Sequence, residues 1–75
     1  MTTEQANEIA DNCSVDVEVR EGYSGRGMYG RKVTGLVVSD VSDLIAIGFA
    51  AAEAGIDIDD LPHRYDNIGR SIIVY

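Results

Sequence analysis

Apolar and polar residues alternate at the start of the organised part of the chain. In "CSVDVEVR", Cys13, Val15, Val17 and Val19 point one way while Ser14, Asp16, Glu18 and Arg20 point the other. A period of two carried by β-branched residues predicts a half-buried antiparallel strand over 13–20. After a glycine-rich turn, "KVTGLVVSD" reads as a second strand, more apolar through Val33, Leu36, Val37 and Val38 and hence more central. The two strands form a hairpin with a wide loop at its tip. The pattern then changes: "SDVSDLIAIGFAAAEAG" predicts a helix at about 42–54, with Ser39, Asp40 or Ser42 as N-cap, Asp43 near the positive end of the dipole and Gly55 as the stop.

Upstream, Ala6, Ile9, Ala10 and Cys13 recur at spacings of three and four, which allows a short helix or an arm with little apolar surface to dock. Downstream, "GIDIDDLP" is an acidic connection anchored by Ile56, Ile58 and Leu61, and Pro62 ends it. "HRYDNIGRSIIVY" reads as a short strand, a turn at "DNIG" and a terminal strand Arg70–Tyr75. In that strand Ile72 and Val74 face opposite to Ile73 and Tyr75, so it is buried on both sides and central in the sheet. The expected fold is one α+β domain over 1–75: an antiparallel sheet of three to four strands, order ββαββ, with one helix packed on one face and a short N-terminal helix or arm.

The predicted helix has a consequence for assembly. Between Leu44 and Ile56 only Glu53 is charged, so Leu44, Ile47 and Ala51 cover one side while Ile45, Phe49 and Ala52 cover another. A two-layer domain covers one side only. Gly48 and Ala52, like Ala46 and Ala50, would let a second backbone come close. A symmetric homodimer with Ile45, Gly48, Phe49 and Ala52 at its interface is the simplest expectation. The alternative is a monomer that tolerates an alanine-rich surface, with the N-terminal arm covering the rest.

Composition narrows the class. With 75 residues, 45% hydrophobic and 25% charged, the chain has room for one modest core and lies outside the disordered regime. The net charge of −7 is unevenly placed: Arg20 to Lys32 holds four cations and one anion, +3, and the remainder holds two cations and twelve anions, −10. An acidic body disfavours direct nucleic-acid binding and suits a basic partner surface, or simply keeps the protein soluble. Cys13 is the one cysteine and argues for a reducing compartment. The acidic, polar N-terminus is no secretory signal, and the apolar run Leu44–Ala52 is far short of the roughly 20 residues of a membrane span. A cytoplasmic protein without membrane contact is expected.

The basic turn "GYSGRGMYGRK" concentrates the candidate chemistry. Gly25, Gly27 and Gly30 spell G-x-G-x-x-G, but a dinucleotide fingerprint must leave a strand and open a helix, and here a second strand follows. A glycine-rich flap between antiparallel strands also covers ATP phosphates in protein kinases, yet no catalytic-loop signature follows. What survives is the physics. Backbone N–H groups beside Arg26, Arg31 and Lys32 suit an anion or a partner's carboxylates, and Tyr23, Met28 and Tyr29 are typical interface groups. Together with Ser24 these are the expected partner- or ligand-binding residues, against a bulged tip whose tyrosines fold back on the core.

Other groups carry less. His63 has no second ligand at zinc spacing, and Ser24, Ser71 and Cys13 carry no nucleophile signature. Catalysis would require His63 and Asp66 to converge on the glycine loop. Asp57, Asp59 and Asp60 lack the glycine and terminal glutamate of a calcium loop and read as a solvated face, or as a phosphate-like patch for a nucleic-acid-binding protein. No enzyme, metal or cofactor is expected.

"YSGRGMYG" (23–30) and "NIGRSIIVY" (67–75), about a quarter of the chain, resemble small proteins encoded by phages and prophages. Such proteins often include inhibitors of bacterial defence systems, anti-CRISPR proteins among them. The resemblance implies an anti-defence role and transfers no functional residue. Two functions are expected in turn: a dimeric, non-enzymatic inhibitor that occludes a host or defence-system protein in the host cytoplasm, or a sponge for a small anionic nucleotide. Arg26, Arg31 and Lys32 discriminate between them, by lining a concave pocket with Tyr23 and Tyr29 or by splaying outward.

Overall fold

A computed structural model describes residues 1–66 and 69–75. The chain is α+β with a four-stranded antiparallel sheet and two helices. In chain order the elements are α1 (Thr3–Asn12), β1 (Glu18–Tyr23), β2 (Val33–Val38), α2 (Asp43–Glu53), a 3₁₀ turn (Ile58–Asp60), β3 (His63–Asp66) and β4 (Ser71–Val74). The sheet runs β1-β2-β4-β3. The expected order ββαββ is therefore corrected to αββαββ, with the 3₁₀ turn before β3.

The N-terminal segment is a full helix because its first turn is closed by a capping box. The Thr2 Oγ1 atom accepts from Gln5 N at 3.1 Å, and Thr2 N donates to Gln5 Oε1 at 2.9 Å. The segment also docks. Ala6 and Ile9 are fully buried, and burying an isoleucine contributes about 2 kcal/mol. The expectation of little apolar surface is overturned by that single side chain.

The first strand begins later than its alternation implies. Cys13, Val15 and Val17 are half-buried and Ser14 and Asp16 exposed, so the alternation of burial holds. Pairing sets in only at Glu18, opposite Val37; β2 ends at Val38, so residues 13–16 have no β2 partner to extend the ladder.

Helix α2 stops where expected. Gly55, at φ +78°, follows the C-cap, Ile56 N donates to Ala51 O at 2.8 Å and Gly55 N to Ala52 O at 3.0 Å, the bonds of a Schellman motif. At its start Ser42 N donates to Asp40 Oδ1 at 3.1 Å, which shapes the entry turn.

Registers divide the sheet into two faces. Leu36, Val38, Ile72 and Val74 join Ala6, Ile9, Ile47, Ala50 and Ala51 in one core, so both helices cover that face. The opposite face carries Arg20, Gly35, Val37, Ile73 and Arg64, which lie beside one another in register. Every residue of β4 is buried, as its uniform hydrophobicity requires of a central strand. The turn expected at "DNIG" includes residues 67 and 68, which lie outside the described residues. No helix among the described residues is long and apolar enough to cross a membrane.

Candidate functional site

The open sheet face and the hairpin tip form one structure, and a bulge joins them. Arg20 is opposite Gly35 but Tyr23 is opposite Val33, so β1 carries one extra residue across that interval. Gly22 lies in it at φ +69°, with no atom of the described residues within 4 Å of where a Cβ would stand. Simple alternation from Arg20 would turn Tyr23 toward the helices; the extra residue turns it to the open face instead. There its ring meets Tyr75 with centroids 6.2 Å apart and planes at 46°.

Gly35 makes room beneath. A Cβ on it would stand 2.9 Å from Ile73 Cγ2 and 3.2 Å from the Val74 carbonyl oxygen. Ile73 is thus fully buried on a face that no helix covers.

Beyond Tyr23 the chain folds back over β3. Two successive turns close the tip: Met28 N donates to Gly25 O at 3.2 Å and Arg31 N to Met28 O at 3.0 Å. The Met28 sulfur accepts from Gly25 N at 3.1 Å. Gly25 lies against the Tyr23 hydroxyl and Arg64 Nη1. Between tip and strand runs a groove of about 440 Å³ lined by Tyr23, Ser24, Gly25, Arg26, Arg64 and Asp66, with a contribution from Tyr65. Arg64 Nη1 is buried and has no hydrogen-bond partner among the described residues. A guanidinium nitrogen in that condition carries a desolvation cost that an oxyanion would offset.

The second turn of the tip is strained. Its central residues Tyr29 and Gly30 both have positive φ, 55° and 81°. Glycine adopts this backbone freely, whereas an L-residue there costs roughly 1–2 kcal/mol. Tyr29 is 99% exposed, so packing within the chain returns nothing for that strain.

The expected loop residues therefore separate. Tyr23, Ser24 and Arg26 line the groove, Met28 is half-buried as part of the turn, and Tyr29, Arg31 and Lys32 are exposed outside it. Arg64 joins the site although its place in "HRYD" gives no sign of this. Only its register opposite Ile73 puts it on the open face.

A depression of about 550 Å³ elsewhere on the same face includes Glu18 and Arg20, which pair at 2.8 Å. Its one cation, Arg20, is thus already paired within the chain. His63 and Asp66 stand on opposite faces of β3, opposite Val74 and Ser71; Asp66 lines the groove under the loop and His63 does not, so the two do not converge there. Of the expected interface residues on α2, Ile45, Phe49 and Ala52 are exposed, while Gly48 is half-buried with Ile58 3.8 Å from its Cβ position. No protein-family model, curated protein or solved structure matches this chain.

Proposed function

We propose that the protein is a non-enzymatic binding protein that presents the tip Gly22–Lys32 to a partner protein and inhibits it by occluding its surface. One observation carries this reading: Tyr29 holds a left-handed backbone at the crest of the tip while its side chain touches solvent alone. The backbone strain closes the Met28–Arg31 turn but is offset by no side-chain packing, which points to a contact made outside the fold. Arg31 and Lys32 add charge beside the ring, and aromatic and arginine side chains dominate interface centres. The resemblance to phage-encoded proteins supplies the setting, a bacterial defence protein as the occluded surface, and that setting rests on the resemblance alone.

The test is capture from bacterial lysate with wild type, Tyr29→Gly and Arg26→Glu, each first shown to melt as a folded protein. Proteins recovered by wild type should be lost from both variants. Recovery of the same set by all three would remove the tip from the function.

The unpaired Arg64 nitrogen favours a second reading, in which the groove beneath the tip holds a small anion. Arg26 and Arg64 would supply the charge, and Tyr23 one wall.

A further inference from the structure

Helix α2 leaves a second surface unused. Its buried residues Ile47, Ala50 and Ala51 face the core, while Ile45 and Phe49 are 65% and 71% exposed and Val41, in the turn before the helix, is 68% exposed. Ile45 and Phe49, four apart, share one face of the helix, with Ala52 exposed beside them, and Val41 stands four residues before Ile45 in the turn that enters the helix. Large apolar side chains aligned in this way mark a contact surface rather than scattered exposure.

Charge identifies the occupant. Residues 1–13 and 39–61, the helical layer and its connections, contain nine Asp or Glu and no Lys or Arg. The row itself runs between two exposed carboxylates, Asp40 before Val41 and Glu53 four residues after Phe49. Two copies paired through this row, parallel or antiparallel, would bring these acids of one copy against acids of the other, and like charges in a closing interface oppose it. A partner with the complementary pattern meets no such opposition.

We infer that the Val41–Ile45–Phe49 row docks an amphipathic helical segment of a partner protein, with apolar anchors along one side and Lys or Arg beside them. The helix Asp43–Glu53 spans about 16 Å at 1.5 Å per residue, which matches roughly eleven helical residues of the partner. This surface is separate from the hairpin tip, and its failure would leave the tip reading standing.

The probe is a designed 18-residue helical peptide with a leucine face and lysines elsewhere; its control keeps the leucines and replaces lysine by glutamate. Titrated into the full chain, the lysine peptide should bind saturably and the glutamate peptide at least tenfold more weakly. Ile45→Ser with Phe49→Ser, both exposed positions, should weaken the lysine peptide tenfold or more, Asp40→Asn with Glu53→Gln severalfold, and Tyr29→Ala not at all. Thermal unfolding of each variant confirms that the fold persists.

Three results would overturn the inference. Equal binding of both peptides would reduce the row to a charge-indifferent apolar patch. Undiminished binding by the Ile45/Phe49 variant would trace the affinity to net charge alone. Self-association of the wild type at tens of micromolar, abolished by Ile45→Ser, would make a second copy the occupant.

Discussion

Gly25 occupies a place on the hairpin tip from which a Cβ would stand 2.5 Å from Arg64 Nη1. The same Cβ would press on the Tyr23 hydroxyl, so this one missing methyl lets the tip, the first strand's tyrosine and the edge strand's arginine share a site.

Gly25→Ala should separate stability from geometry. Both obstructing atoms end flexible side chains, so they swing away and unfolding free energy falls by less than about 1 kcal/mol. The Tyr23 ring nevertheless has to move from Tyr75. Urea unfolding gives the first quantity, and ring-to-ring nuclear Overhauser contacts between the tyrosines give the second; unaltered contacts would show that Gly25 does not govern the groove.

Gly35→Ala should behave in the opposite way. Its neighbours are the buried Cγ2 of Ile73 and the carbonyl of Val74, neither free to withdraw. Overpacking of this kind costs about 1–3 kcal/mol, visible as a lower urea midpoint with an unchanged slope. An unshifted midpoint would mean that Ile73 does not rest on bare backbone.

Substitutions at two left-handed positions of the hairpin, Gly22 and Tyr29, should differ in sign. Gly22→Ala meets no atom of the described residues, so its effect is backbone strain, a loss of about 1 kcal/mol. Tyr29→Gly releases strain against a more flexible unfolded chain, leaving stability unchanged or raised by up to about 1 kcal/mol. Marked destabilisation by Tyr29→Gly would assign the ring a packing role and withdraw the argument from strain.

Inorganic phosphate tests the groove. In a titration followed by the side-chain Nε–H resonances of arginine, Arg64 should respond first and Arg64→Met should abolish binding. That variant should fold as well as wild type, since it removes an unpartnered guanidinium nitrogen and keeps the apolar stem. Arg31→Met, outside the groove, is the control. An equal loss there would reduce the effect to general charge.

Helix α1 gives the simplest test of all. Thr2→Ala removes one half of the capping box and should lower stability by about 1 kcal/mol, with faster amide exchange at Gln5. No change in either would mean that the first turn frays despite the cap.

What the sequence revealed depended on whether a feature is local. The stop of α2 at Gly55 and the burial of β4 on both sides follow from residues adjacent in the chain, and both were readable. The start of β1 was not, because alternation fixes which side chains face inward while a strand also needs a partner, and β2 reaches only to Val38. Helix α1 was underweighted for a different reason: the T-x-x-Q signature of its capping box is legible at residues 2–5, but the worth of Ile9 depends on the sheet it meets. Within the candidate site the glycines and cations of the tip stood out at once. Arg64 and the side taken by Tyr23 did not, since both follow from register and a bulge.

The carboxylates gather on the helices, while four of the six basic side chains lie on the hairpin between Arg20 and Lys32 and Arg64 lies on the face that the helices leave bare. The protein consequently carries a permanent electric moment through its thickness. In the field of a large charged target it rotates before it touches, so a negatively charged body meets the tip and a positively charged one meets the helices, each at a rate that falls as salt rises.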